Sequence, residues 1–250
     1  MMNKRTLKGW VATDGPIDGH PDLRVDLEML AELADRLRSG QMPFQFDHDS
    51  DKPIKSRVLL AEVRQLENGD HGVWAEIEVF GDDQTISELE MRKGFSIAFT
   101  KALPRTDHPR TSNKPKIAIF VDAINFGSAA ALEAARTLSP EFDVQPGLLY
   151  QLWIVPPPKI IIYLGIEALK SIADGLFFDT LKKLMSRSKQ SKTSLELEFR
   201  VTTPKGNVDA RLKTSNPTEA KQALKALRDI TKPLGKSIVY DLQGKRWRKK

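Results

Sequence analysis

Apolar residues along this chain recur with two periods, and they divide it into short strands and a few helices. Residues 8–13, 44–48, 57–66 and 72–80 alternate or cluster as strands. The last two flank Glu67-Asn68-Gly69-Asp70, and Asn-Gly between two apolar runs is a strong hairpin signal. Leu27, Leu30, Leu33, Ala34 and Leu37 recur instead at helical spacing. Asp26 precedes them as a capping residue and Gly40 follows them as a stop. Residues 94–101 and 116–126 predict two more strands, separated by a polar loop over 103–115.

The second half changes character. Residues 140–158 read as an irregular connector, stiffened at Pro156-Pro157-Pro158 by the polyproline preference. An amphipathic helical stretch follows over 159–185, with Leu169, Ile172, Leu176, Leu181 and Leu184 on one side. Residues 186–193 carry no large apolar side chain and read as a flexible linker. Leu195, Leu197, Phe199 and Val201 then alternate with Glu196, Glu198 and Arg200, a half-buried strand. Residues 208–212 answer it across the turn at Pro204-Lys205-Gly206-Asn207. Asn216 caps a helix that has Pro217 in its first position. A strand over 237–242 and a basic tail over 244–250 close the sequence. The predicted fold class is α+β in three parts: a β-rich domain over 1–150, a proline-rich connector and amphipathic helix over 151–192, and a small basic β-hairpin/helix module over 193–250.

Composition narrows the picture. Of 250 residues, 40% are hydrophobic and 29% charged, which excludes collagen-like, low-complexity and wholly disordered chains. With no cysteine there is no disulfide scaffold, thiol nucleophile or thiolate zinc site, and the expected compartment is the reducing cytoplasm. The polar start, Met1-Met2-Asn3-Lys4-Arg5, is not that of a signal peptide. The longest strongly apolar stretch, 160–169, is half the roughly 20 residues a membrane span needs, so no transmembrane segment is expected. Charge is split: residues 1–150 hold 18 Lys+Arg against 24 Asp+Glu, and residues 151–250 hold 21 against 9. Two modules with different surfaces follow from that asymmetry.

Three residues stand out as candidate chemistry. In Gly94-Phe95-Ser96-Ile97-Ala98-Phe99, a strand would put Ser96 on a face shared only with Gly94 and Ala98. That leaves room above the hydroxyl for a substrate carbonyl, or for a closely packed neighbouring element. His48 shares a face with Phe44 and Phe46, as a general base or as a satisfied structural histidine. Asp122 is the one charged residue in 117–132. A buried carboxylate needs a partner, and a histidine, backbone amides or solvent at the strand end would each serve. Asp47, His48, Asp49 and Asp51 cluster in sequence, but consecutive strand residues face opposite ways, so no metal site and no cofactor is expected.

The histidine at the end of 44–49, the strand that follows Pro53-Ile54, and Gly94-Phe95-Ser96-Ile97-Ala98-Phe99 some fifty residues on resemble the phage prohead (capsid maturation) protease family. The resemblance covers roughly residues 6–140. It implies an assemblin-like β-barrel with flanking helices, with Ser96 as nucleophile and His48 as base. The family's acid lies in a following apolar strand, so Phe120-Val121-Asp122-Ala123-Ile124 makes Asp122 the acid, with Glu133 as the alternative. Ala98 stands where that family has a second glycine. The implied activity is a serine endopeptidase acting through an acyl-enzyme on a protein substrate, with self-processing in the exposed connector. Its oxyanion donors are not evident; Arg92 and Lys93 are candidates for support, or else a solvated basic turn. Residues 195–242 resemble small bacterial modules that accompany trypsin-like proteases and effectors, which implies an adaptor that binds another protein. A stand-alone bacterial protease and a phage maturation protease are both consistent with these features.

Three further readings stand beside this one. The stretch 159–185 packs on the barrel or on a second copy, giving a homodimer; its interspersed Glu167, Asp174 and Asp179 argue against a membrane surface. A protease-fold scaffold without activity is the second. The third is nucleic-acid binding by the basic half, with Trp247 stacking on a base among cations, set against a frayed solubilising tail. This third use is not the favoured one.

Overall fold

The computed structural model describes residues 3–15, 25–40, 44–46, 49–82, 86–87, 97–105, 113–152, 158–170, 172, 175–187, 194–204, 206–228 and 237–249. Two compact units emerge, one of residues 1–99 with 151–156 and the other of residues 100–150 with 157–250. Unit 1 holds 12 Lys+Arg against 19 Asp+Glu, and unit 2 holds 27 against 14. The charge asymmetry expected from the sequence is therefore sharper when drawn along the real boundary.

Unit 1 is built on an antiparallel sheet ordered β1 (Asn3–Thr13), β5 (His71–Gly81), β4 (Ser56–Gln65). The Asn68-Gly69 hairpin joins β4 to β5, and Gly69 sits at φ +91°, a left-handed conformation that glycine adopts without penalty. Helix α1 (Leu27–Arg38) starts where Asp26 Oδ1 accepts the Met29 amide at 2.8 Å. Its buried face (Met29, Leu30, Leu33, Ala34, Leu37) meets β4 and β5, whose core residues include Ala61, Val73, Ala75, Ile77 and Val79. The other sheet face carries ions and indoles. Lys4 and Arg57 flank Glu78 at 2.5 and 2.9 Å, and Trp10 meets Trp74 edge-on at 5.3 Å. A short hairpin, β2 (Phe44–Phe46) and β3 (Asp49–Ile54), pairs separately.

Unit 2 is organised by a sheet ordered β13-β12-β11-β10-β9-β7-β8-β6. In chain order its strands are β6 (Ile97–Ala102), β7 (Lys116–Asp122), β8 (Asp143–Leu152), β9 (Lys159–Gly165), β10 (Glu196–Thr203), β11 (Gly206–Lys213), β12 (Ser237–Asp241) and β13 (Arg246–Lys249). Helix α2 (Gly127–Leu138) links the parallel pair β7 and β8. Helices α3 (Ile166–Leu169) and α4 (Gly175–Arg187) link the parallel pair β9 and β10. Helix α5 (Pro217–Arg228) links the parallel pair β11 and β12. Register aligns Ile117, Ile119 and Val121 with Ile160, Ile162 and Leu164, then with Leu197, Phe199 and Val201, then with Val208, Ala210 and Leu212. These side chains form one apolar face beneath the helices.

Several expectations are corrected here. The fold is mixed α and β, but no closed barrel forms among the described residues, where β1, β5 and β4 make an open three-stranded sheet. The expected boundaries at 150 and 192 fall inside the large sheet, because β9 hydrogen-bonds both β7 and β10. Residues 143–152 are not a connector but strand β8, with Leu148, Leu149, Tyr150 and Gln151 buried. That removes 143–152 as an exposed self-processing segment. The amphipathic stretch does not begin as a helix: 159–165 is a strand buried on both faces, which is why its apolar residues run unbroken. Residues 196–249 are part of the same sheet, not a separate module. The basic tail is neither frayed nor poised to stack on a base. Strand β13 seats Trp247 against Tyr240 at 5.1 Å, and its Nε1 donates to Ala223 O at 3.0 Å.

Candidate functional site

His48, Ser96, Arg92 and Lys93 lie outside the described residues, so no geometry joins them here. Of the described neighbours, β2 ends at Phe46, β3 begins at Asp49 with Phe46 opposite Asp49, and β6 begins at Ile97. Both acids proposed from the sequence belong to unit 2.

Asp122 ends β7 and is fully buried. Its Oδ1 accepts the amides of Ile124 at 2.8 Å and Asn125 at 3.4 Å, and its Oδ2 accepts Asn125 Nδ2 at 2.9 Å. These bonds close the turn into α2, where Gly127 takes φ +73°. Backbone amides, the second of the partners open to a buried carboxylate, are thus among those that Asp122 holds.

Glu133 lies on α2 and bridges to α4, with Oε1 at 2.6 Å from Lys183 Nζ and Oε2 at 2.6 Å from Arg187 Nη1. Hydrogen bonds from Arg187 and then Lys183 hold its carboxyl down at about 2. A carboxylate so committed to two cations has little left to orient an imidazole.

A second constellation, not singled out from the sequence, lies on the face of the large sheet opposite the helices. Lys159 on β9 reaches Glu196 Oε1 at 2.8 Å and Glu198 Oε2 at 2.9 Å, both on β10. Glu198 Oε1 receives Arg200 Nε at 2.7 Å. Arg200 Nη1 donates to the Tyr163 hydroxyl at 2.7 Å, with the guanidinium 5.1 Å over that ring. The Glu196 and Glu198 side chains are 5% and 0% exposed, although their alternation with leucines reads as a solvated face. Burial opposes ionisation of Glu198, but Lys159 and Arg200 outweigh it and hold the carboxyl at about 2. Burial likewise opposes the charge on Lys159, yet the two carboxylates raise its pKa. The amine therefore stays protonated and is neither a nucleophile nor a base near neutrality. The available sequence signal was Glu-x-Glu-x-Arg beside a lysine that opens an apolar strand.

Among the described residues no cluster of three or more metal-ligating side chains occurs, and no helix is long and apolar enough to cross a membrane. Comparison with known proteins returns no matching family model, no matching curated protein and no matching solved structure.

Proposed function

We propose that this chain is a serine endopeptidase in which Ser96 is the nucleophile and His48 the general base. The reading is carried by one observation: the order and spacing of the 44–49 and 94–99 segments, which give a histidine at the end of an apolar strand and a serine flanked by Gly94 and Ala98. The described strands on either side, β2, β3 and β6, are compatible with that reading.

In the proposed reaction, His48 takes the Ser96 hydroxyl proton as the oxygen attacks a peptide carbonyl. The imidazolium returns that proton to the departing amine, leaving an acyl-serine. Water activated by the same imidazole then releases the acid and restores the hydroxyl. Asp122, the acid implied by the resemblance, enters this proposal as the residue that holds the β7–α2 turn, because its oxygens already receive the Ile124 and Asn125 donors.

Hydrolysis of an unfolded protein substrate such as casein tests the proposal. The full chain should cleave it, and Ser96→Ala and His48→Ala should each abolish cleavage while the far-UV spectrum is unchanged. Equal cleavage by wild type and Ser96→Ala would overturn the assignment. A folded wild type with no activity would favour the scaffold reading instead.

A further inference from the structure

Strand β6 lies at one outer edge of the large sheet, with β8 as its neighbour. It is six residues long, and Ser96 is the residue immediately before its first position, Ile97. A one-residue slip of such a strand moves it by about 3.3 Å and turns every side chain to the other face. The register in which β6 docks on β8 therefore bears directly on where a nucleophile at Ser96 would stand.

The sequence of β8 makes that register particular to one position. Leu103, directly after β6, donates its amide to Pro146 O at 2.9 Å. Pro146 has no N–H to return, and a proline inside a ladder leaves the facing carbonyl without its main-chain donor. The side chain of the preceding residue fills that gap: Gln145 Nε2 donates to Leu103 O at 2.9 Å and to Pro146 O at 2.9 Å. Its Oε1 accepts Arg105 Nε at 2.9 Å, and Arg105 Nη1 reaches Asp143 Oδ1 at 2.7 Å. Both ends of the carboxamide are thus engaged, so its orientation is fixed by what it holds. Gly147 marks the same place from the other side of the proline. A β-carbon there would stand 2.7 Å from Lys101 O, so the two chains approach more closely than a side chain would permit. An ordinary residue at 146 would supply a main-chain donor to whichever carbonyl faced it. The Gln145-Pro146 pair supplies one in this register, and a slip would also part Arg105 from Asp143.

Resting on the assignment of Ser96 as nucleophile, we propose that Gln145 is a positioning residue: by standing in for the donor that Pro146 lacks, it fixes β6 on β8 and so fixes the serine that precedes β6. A misplacement of about 1 Å at a reacting atom can cost on the order of a hundredfold in rate, so a loosened register is felt at Ser96 without unfolding. The full chain is reacted with a fluorophosphonate probe, and the rate of adduct formation on the Ser96 peptide is followed by mass spectrometry, well below the melting temperature of every variant. Gln145→Ala should slow labelling by on the order of tenfold or more. Pro146→Ala in that background restores a main-chain N–H opposite Leu103 O and should recover most of the wild-type rate. Trp247→Phe, at the opposite edge of the same sheet, loses a hydrogen bond without touching β6 and should label at the wild-type rate, which separates positioning from a general loss of stability. Amide exchange over residues 97–103 should quicken in Gln145→Ala and slow again in the double variant. A wild-type chain that gives no Ser96 adduct would overturn the proposal together with the serine reading. A wild-type adduct with Gln145→Ala reacting just as fast, or a loss that Pro146→Ala does not recover, would overturn the positioning role and leave the nucleophile standing.

Discussion

Replacing Lys159 with methionine tests the ion network beneath β9 and β10. The lysine is 8% exposed and is shared between Glu196 at 2.8 Å and Glu198 at 2.9 Å. Its removal leaves two buried carboxylates facing each other without their common cation. Breaking a buried pair in this way costs about 3–5 kcal/mol. The lower end applies here, because Arg200 remains 2.7 Å from Glu198 and Lys213 remains 3.7 Å from Glu196. A loss of about 3 kcal/mol with a urea slope near 2 kcal/mol/M lowers the unfolding midpoint of unit 2 by roughly 1.5 M. Trp247 fluorescence, read in a background where Trp10, Trp74 and Trp153 are phenylalanine, reports that transition. The sign with pH follows from Glu198. Its folded pKa is about 2, below the 4.5 of the free group, so its contribution is present above about 4.5 and disappears as pH falls toward 2. In Lys159→Met the Glu198 carboxyl loses one of the two cations that hold it down, so the gap between wild type and variant should be widest at pH 7 and narrow below pH 4.5. Adding Glu198→Gln should recover more than half of the loss at neutral pH. A midpoint shift corresponding to less than about 1 kcal/mol, or a gap that does not change between pH 7 and pH 3, would refute this account of the network.

Three further outcomes are expected. Asp122→Ala removes the acceptor for the Ile124 and Asn125 amides and should cost about 1–3 kcal/mol in urea denaturation, whereas Asp122→Asn keeps one oxygen and should cost less. Gly147→Ala puts a β-carbon into the Phe120 ring and 2.7 Å from Lys101 O, for a loss of about 1–3 kcal/mol that Phe120→Leu should partly restore, read as a change in Tm. Trp247→Phe keeps the ring contact with Tyr240 but leaves Ala223 O without its indole donor, and should cost about 1 kcal/mol by the same denaturation assay.

Local signals identified the elements that local forces determine. The α1 boundaries were legible because Asp26 caps and five apolar residues keep helical spacing. The β4–β5 hairpin was legible from Asn68-Gly69, and the β10–β11 hairpin from its alternation. Strands β8 and β9 were misread for a shared reason. Both have consecutive residues buried, Leu148 to Gln151 in β8 and Lys159 to Ile162 in β9, so both sheet faces are covered there and the polar alternation that marks a half-buried strand is missing. In β8, Pro146 adds a turn-like signal, but its carbonyl accepts from Leu103 N and from Gln145 Nε2 inside the sheet. Strand β13 looked like a tail because its charges were visible and its anchor was not: the site that Trp247 fills is made by Tyr240 and Ala223, distant in sequence. The same distance effect hid the partners of Glu196 and Glu198, since Lys159 lies across a strand pairing that no local pattern announces. At the candidate site, the burial of Asp122 was legible from its apolar surroundings, but the donors that engage it come from the turn three residues on.

The proposed nucleophile is tested most directly by reacting the folded full chain with a fluorophosphonate probe and locating the adduct by mass spectrometry of its peptides. The account predicts a single adduct on Ser96, absent from Ser96→Ala and strongly slowed in His48→Ala. Modification of another serine, or an identical adduct in Ser96→Ala, would contradict it.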